Sequence, residues 1–183
     1  MRAFFAFPFP GEAKEEIRSV IQKLKSGYPR LKWVQSENLH ITLHFLGDIN
    51  PGQVDICTEI LRNINIPGKN IKFVYRGLGR FPPKGKGRVL YLNPVSGVRE
   101  CENIYTRLEE LLSEHFPLEK RRFSPHITLA RARVPGDPFP EEEKEEVSGT
   151  IRISKIVLFE SVLKPSGPIY REVASRDLEG STC

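Results

Sequence analysis

A histidine followed by isoleucine, threonine and leucine occurs at His40-Ile41-Thr42-Leu43 and again at His126-Ile127-Thr128-Leu129. The chain has four histidines in all. With each following residue agreeing by chance roughly 6% of the time, the repeat has odds of about one in a thousand. Ile, Thr and Leu suit a pleated, half-buried strand. Alternation turns His40 and Thr42 to one face and Ile41 and Leu43 to the other, and separates His126 and Thr128 from Ile127 and Leu129 in the same way. Each copy then offers an imidazole and a hydroxyl, roughly 7 Å apart, above an apolar underside.

Two such strands facing across a cleft suit a reaction that removes one proton and supplies another. Histidine, with an unperturbed pKa of about 6.5, lets one copy act as base and the other as acid near neutral pH. In-line phosphoryl transfer needs that arrangement, because the nucleophile enters opposite the leaving oxygen. The hydroxyls of Thr42 and Thr128 can donate to the non-bridging phosphate oxygens. The scheme calls for no metal and no cofactor.

In these flanks, Asn38-Leu39-His40-Ile41-Thr42-Leu43-His44-Phe45-Leu46-Gly47-Asp48 and Phe123-Ser124-Pro125-His126-Ile127-Thr128-Leu129-Ala130-Arg131, the chain resembles the RNA 2',3'-cyclic phosphodiesterase family. That family is also called 2'-5' RNA ligase and belongs to the two-histidine phosphoesterase superfamily. The resemblance runs from the opening Arg2-Ala3-Phe4-Phe5-Ala6 to Tyr170-Arg171. It implies a metal-independent enzyme that opens a 2',3'-cyclic phosphate at an RNA end to leave a 2'-phosphate. His40 matches the proton donor to the departing 3'-oxygen and His126 the proton acceptor that activates water. Thr42, Thr128 and Arg131 match phosphate-binding groups, and Phe45 matches an aromatic that stacks on the base. Strict alternation, however, puts Phe45 on the Ile41 side, in the core, unless the strand ends or bulges before it. The resemblance also implies a minor ligation reaction, in which a 5'-hydroxyl replaces water and a 2'-5' linkage forms. The implied substrate is RNA with a 2',3'-cyclic phosphate end, tRNA halves included; a monomer is expected, and the reading of the opening residues as a strand with no targeting segment points to the cytoplasm.

The elements that must position these groups follow from periodicity. After a first strand, residues 11–27 carry Ile17, Val20, Ile21 and Leu24 at helical spacing, with Glu12, Glu15 and Glu16 near the start. Strands are expected over 30–34 and 39–46, a helix over 53–63, strands over 71–77 and 89–93, and a helix over 98–115. The second motif strand comes next, then a Pro-rich loop, an acidic segment, one long strand over 151–163 and a last strand over 169–174. Strands without regular β-α alternation argue for an antiparallel α+β fold. The resemblance implies two pseudo-symmetric lobes of mostly antiparallel sheet, helices outside and the cleft between them. No composition break marks a linker, so residues 1–183 are expected to form a single two-lobed domain.

A chain of 183 residues buries roughly 70% of its unfolded surface, enough for a substantial core. A net charge of +5, from 28 basic against 23 acidic residues, favours a polyanionic partner. Basic residues gather at Arg76, Arg80, Lys84, Lys86 and Arg88, at Lys120, Arg121 and Arg122, and at Arg131 and Arg133. The last two groups flank the second motif, where they could contact RNA phosphates. The first, rich in proline and glycine, reads as an exposed flexible loop. The run from Glu141 to Glu146, broken by Lys144, reads as a solvated helix start. The opening apolar residues are short and broken by Pro8 and Pro10, which fits a strand better than a signal peptide or membrane span. Cys57, Cys101 and Cys183 suit neither a disulfide framework nor a zinc site. Abundant Lys, Glu and Arg lean toward a heat-adapted source.

Other readings compete. His40 and His44 have the spacing of a helical zinc motif, but the glutamate that motif needs is replaced by Ile41 and a strand would hold the pair about 13 Å apart. By alternation His44 shares the face of His40 as a supporting residue, and Ala130 holds the equivalent place. His115 complements a helix end. Gly77-Leu78-Gly79 lacks the later glycine of a dinucleotide fingerprint. The rival functions are a non-catalytic module that holds RNA ends or nucleotides, and a phosphodiesterase acting on another cyclic or 2'-5' phosphoester.

Overall fold

The computed structural model describes residues 1–66, 68–118, 122–141 and 146–178. Its elements run β1 (Arg2–Pro8), α1 (Gly11–Lys25), β2 (Lys32–Trp33), β3 (His40–Asp48), α2 (Pro51–Asn63), β4 (Ile71–Phe81), β5 (Val89–Ser96), α3 (Val98–Leu112), β6 (Ile127–Arg131), β7 (Ser148–Ile153), β8 (Lys155–Lys164) and β9 (Gly167–Asp177).

Each helix lies where its apolar spacing predicts. α1 buries Ala13, Ile17, Ile21 and Leu24 and keeps Glu12 in its first turn and Lys23 and Lys25 in its last, complementing the dipole. Asn50 and Gln53 close a reciprocal capping box at the start of α2, with Pro51 in the first turn. α3 buries Cys101, Ile104, Tyr105, Leu108 and Leu112.

The strands form two antiparallel sheets, one ordered β3-β1-β8-β9 and the other β2-β6-β5-β4-β7. The fold is α+β, as expected, yet neither sheet is one half of the chain. The four-stranded sheet joins the first strands to the last, and the five-stranded sheet comes mostly from the middle. One face of each sheet meets the helices through residues such as Phe5, Phe7, Ile41, Phe73, Leu92, Ile127 and Leu158, all buried in one core cluster. The opposite faces carry the motifs.

Two expected strands differ. The single long strand over 151–163 is two strands that break at Ser154: β7 belongs to the five-stranded sheet and β8 to the four-stranded one. Every second residue is buried through Ile151 and Ile153, then Ile156, Val157 and Leu158 follow consecutively, so the pattern reads as continuous while the chain changes sheets. The strand over 30–34 is reduced to Lys32–Trp33, which pairs with Arg131 and Ala130, with the Val34 N–H donating to the Leu129 carbonyl just beyond it. Glu142, Glu143, Lys144 and Glu145 of the acidic run, Lys120 and Arg121 of the second basic group, and Cys183 lie outside the described residues.

Candidate active site

Both motif strands carry a bulge at the same letter of the repeat. Against β1, His40 faces Pro8, Ile41 faces Phe7 and Thr42 faces Ala6, but the next pair is His44 with Phe5, so Leu43 is the extra residue. Against β5, Ile127 faces Leu92 and Thr128 faces Tyr91, but the next pair is Ala130 with Leu90, so Leu129 is extra. A bulge shifts side-chain phase by one residue. His44 and Ala130 are thereby turned into the core, and the residues five places after the motif histidines, Phe45 and Arg131, rejoin the face of the imidazoles.

Two expectations are corrected by this bulge. Phe45 is not a core residue: it is 65% exposed, and its ring lies 5.8 Å from that of Phe4. Nor does His44 share the face of His40. It is buried, with Nε2 3.1 Å from the Tyr105 carbonyl and its ring stacked on Tyr105 at 4.0 Å.

The two imidazoles are held alike. His40 Nδ1 lies 2.6 Å from the Asn38 carbonyl oxygen and His126 Nδ1 lies 2.8 Å from that of Ser124. A carbonyl only accepts, so Nδ1 carries the hydrogen in both rings and Nε2 is the basic nitrogen of each neutral imidazole. The Thr42 hydroxyl donates to His40 Nε2 at 2.9 Å. Thr128, opposite Tyr91, is half-buried on the matching face.

Aromatic rings fix both imidazoles. His40 lies 5.2 Å from Phe4 and meets Tyr170 edge-on at 5.3 Å. His126 meets Phe81 at 5.2 Å and Tyr91 at 5.5 Å, both edge-on. Tyr91 in turn stacks on Phe81 at 4.4 Å. Its ring occupies the space a Cβ on Gly79 would take, which gives that glycine a structural task in place of any nucleotide signature. Sequence reasoning missed these four rings. Alternation puts Phe4 on the face opposite Phe5, but only the sheet order brings β5, β4 and β9 rings beside the motif histidines.

The electrostatics tie the strands to one cleft. Burial pulls the His40 pKa down to about 4, against the raising effect of the Asn38 bond, and the charges of His126, Arg131 and Lys14 lower it further. Burial likewise lowers the pKa of His126, opposed by the Ser124 bond and helped by Arg131. Arg131 therefore acts on both imidazoles, and also on Tyr170, whose hydroxyl burial pushes up. Lys14 is a second cation that sequence reasoning did not find. It stands in the first turn of α1, donates to the Glu37 carbonyl at 3.0 Å and is partly desolvated there.

The remaining candidates lie elsewhere. Cys57 and Cys101 are buried, with thiols pushed up to about 12 by burial. Among the described residues no group of three His, Cys, Asp or Glu could hold a metal ion, and His40 and His44 point to opposite faces. Arg76 and Arg80 are strand residues of β4, not loop residues; Lys84, Lys86 and Arg88 are exposed in the hairpin that follows. Arg122 and Arg133 are exposed near the second motif. No helix of the described residues is long and apolar enough to cross a membrane.

Comparison with known proteins matches residues 7–91 and 92–170 to the model of the LigT-like phosphoesterases. A protein of Aquifex aeolicus named RNA 2',3'-cyclic phosphodiesterase is 32% identical, covering 98% of both chains. A Methanocaldococcus jannaschii protein of the same name is 30% identical over 94% of this chain and 98% of its own. Among solved structures, TT0787 of Thermus thermophilus superposes with a TM-score of 0.81 at 28% identity, covering 99% of this chain and all of its own. Escherichia coli LigT complexed with 3'-AMP gives 0.77 at 22% identity, covering 98% of each chain.

Proposed function

Because the chain belongs to the LigT-like phosphoesterase family, we propose that it hydrolyses 2',3'-cyclic phosphate ends of RNA to 2'-phosphates with His40 and His126 as an acid-base pair. The observation that carries this reading is the common anchoring of the imidazoles. Both present Nε2 from a strand face, both fix Nδ1 on the carbonyl two residues before, and both feel Arg131.

In this mechanism His126 Nε2 takes a proton from water as the water oxygen attacks phosphorus. The P–O3' bond breaks, and His40 Nε2 gives a proton to the departing oxygen, leaving a 3'-hydroxyl and a 2'-phosphate. His126 then loses its proton to solvent and His40 regains one. In the free protein His40 is neutral at pH 7, since its pKa is about 4. The anionic phosphate, entering beside it, raises that value by opposite charge. Protonation of Nε2 also frees the Thr42 hydroxyl from its role as donor to that nitrogen. Thr42, Thr128 and Arg131 then stabilise the equatorial oxygens, and the exposed ring of Phe45 stacks on the terminal base. No step uses a metal. A 5'-hydroxyl in place of water gives a minor 2'-5' ligation. The same reading takes residues 1–183 as one two-lobed catalytic unit, because each sheet supplies one imidazole, acting as a cytoplasmic monomer on RNA ends such as tRNA halves.

The test is to incubate chelator-treated protein with an oligoribonucleotide ending in a 2',3'-cyclic phosphate and to resolve the products. A 2'-phosphate is expected. A 3'-phosphate would reverse the leaving group, and binding without turnover would make the protein a holder of RNA ends.

A further inference from the structure

The strands of the five-stranded sheet contain no acidic residue. They carry Lys32, Lys72, Arg76, Arg80, Arg131 and Arg152, and no Asp or Glu. The four-stranded sheet is mixed: Arg2, Lys155, Lys164, Arg171 and Arg176 are offset by Asp48, Glu160, Glu172 and Asp177. Two of these pair directly across strands, Lys155 with Glu172 at 2.7 Å and Arg171 with Glu160 at 3.9 Å. The charge asymmetry thus follows the sheets and is hidden in the modest net charge of the whole chain.

The basic wall ends in a cavity of about 490 Å³, lined by Gly68, Lys69, Asn70, Lys72, Thr150 and Arg152. Lys72 faces Arg152 and Val74 faces Thr150 across β4 and β7. The alternating partners of Lys72, namely Ile71 and Phe73, are buried in the helix-side core, so the cavity opens on the face that also carries Tyr91, Phe81 and His126. Following the registers, His126 is level with the bulge at Arg76 and Gly77. Four residues along and two to three strands across put the cavity roughly 20 Å from it.

We infer that this cavity is a second RNA site, which holds backbone phosphates upstream of the cyclic end that reacts at His126. The inference rests on the RNA-end reading above. A cyclic phosphate closes the 3' end, so the rest of the strand leaves the cleft on its 5' side alone. By alternation Lys72, Arg76, Arg131 and Arg152 share the imidazole face, while Arg80, between Gly79 and Phe81, turns to the other. A face whose strand residues include cations and no acidic residue is a surface a polyanion follows. At the stacked rise of ~3.4 Å per nucleotide the cavity lies no more than about six nucleotides upstream. Lys69, Lys72 and Arg152 recognise phosphate, not base identity, so the site senses length and leaves sequence unread.

The test is a Lys72→Ala/Arg152→Ala double variant, whose two side chains are exposed and lie outside the catalytic cleft. Turnover of a cyclic mononucleotide and of a ten-nucleotide RNA with a cyclic end is compared across salt concentrations. Expected is a loss of roughly ten-fold in kcat/KM for the long substrate and a salt slope shallower by about 1.4, with the mononucleotide unchanged. Lys72→Arg/Arg152→Lys should keep the length preference. Equal losses on both substrates, or none on the long one, overturn the inference. Should the wild-type protein turn over neither RNA, the catalytic reading fails by itself. Anisotropy binding of the same RNA with a 3'-phosphate then decides the cavity: weakened binding in the double variant upholds it, and unchanged binding removes it.

Discussion

In the four-stranded sheet the residue five places after the motif histidine is Phe45, and in the five-stranded sheet it is Arg131. Both reach the imidazole face by the same device, a bulge at the motif leucine, so the two strands are equivalent in backbone and different in what they add. One contributes an exposed ring, 5.8 Å from the Phe4 ring, the other a guanidinium that acts on both histidines. The next layer differs too: His44 fills the core place that Ala130 leaves small. In the proposed mechanism a repeated strand thus supplies the symmetric part of the chemistry, two proton carriers. The asymmetric part, charge on one side and a flat apolar surface on the other, comes from the residues just outside the repeat.

The strongest way to break that equivalence is to remove each imidazole. His40→Ala and His126→Ala should each reduce kcat/KM by at least about 100-fold with far-UV circular dichroism unchanged. Near-normal turnover in either variant would end the paired mechanism. Arg131→Ala should lose roughly 100-fold in kcat, the lower end for a lost donor at the transition state. Phe45→Ala, by contrast, should raise KM about five-fold, the lower end for one base stack, and leave kcat in place. If both variants act on the same parameter, the two strands do not divide the work in this way.

The pH profile sharpens the comparison further. Burial lowers the pKa of both imidazoles in the free protein, that of His40 to about 4. The form with one proton on the pair is then most populated below pH 6.5, so the bell of kcat/KM, which reports free enzyme, should peak below 6.5. The kcat profile, which reports the complex, should lie higher. A kcat/KM optimum above 7 would show that the free imidazoles are not held neutral.

The smallest effect concerns His44 against Ala130. His44→Ala removes the second donor to the Tyr105 carbonyl and the ring stacked on Tyr105 and should cost about 1–3 kcal/mol in urea unfolding, with kcat close to wild type. Folding holds His40, His44 and His126 in the neutral form. Below pH 6.5 the unfolded chain binds more protons, so stability is full above that pH and falls as pH drops toward 4. The variant should show a shallower fall.

The repeat itself named both imidazoles and both threonines, because residue types and spacing are enough to specify a half-buried strand. Helix spacing placed α1, α2 and α3 to within a few residues, since an amphipathic stripe is a local property. What failed was phase and connection. Strict alternation puts Phe45 and His44 on the wrong faces because a bulge is decided by the partner strand: Leu43 becomes extra only when Thr42 and His44 pair with consecutive residues of β1. The break at Ser154 was invisible because two strands with buried apolar residues on either side of a serine look like one until each finds its own sheet. The aromatic frames of Phe4, Tyr170, Phe81 and Tyr91, and the cavity between Lys72 and Arg152, join residues that lie tens to more than a hundred places apart. By itself the sequence determined which groups could carry protons, because chemistry resides in side chains and strand periodicity resides in neighbours. Only the tertiary structure decided which groups surround them, because hydrogen-bond register between distant strands sets every face, and no local pattern encodes it.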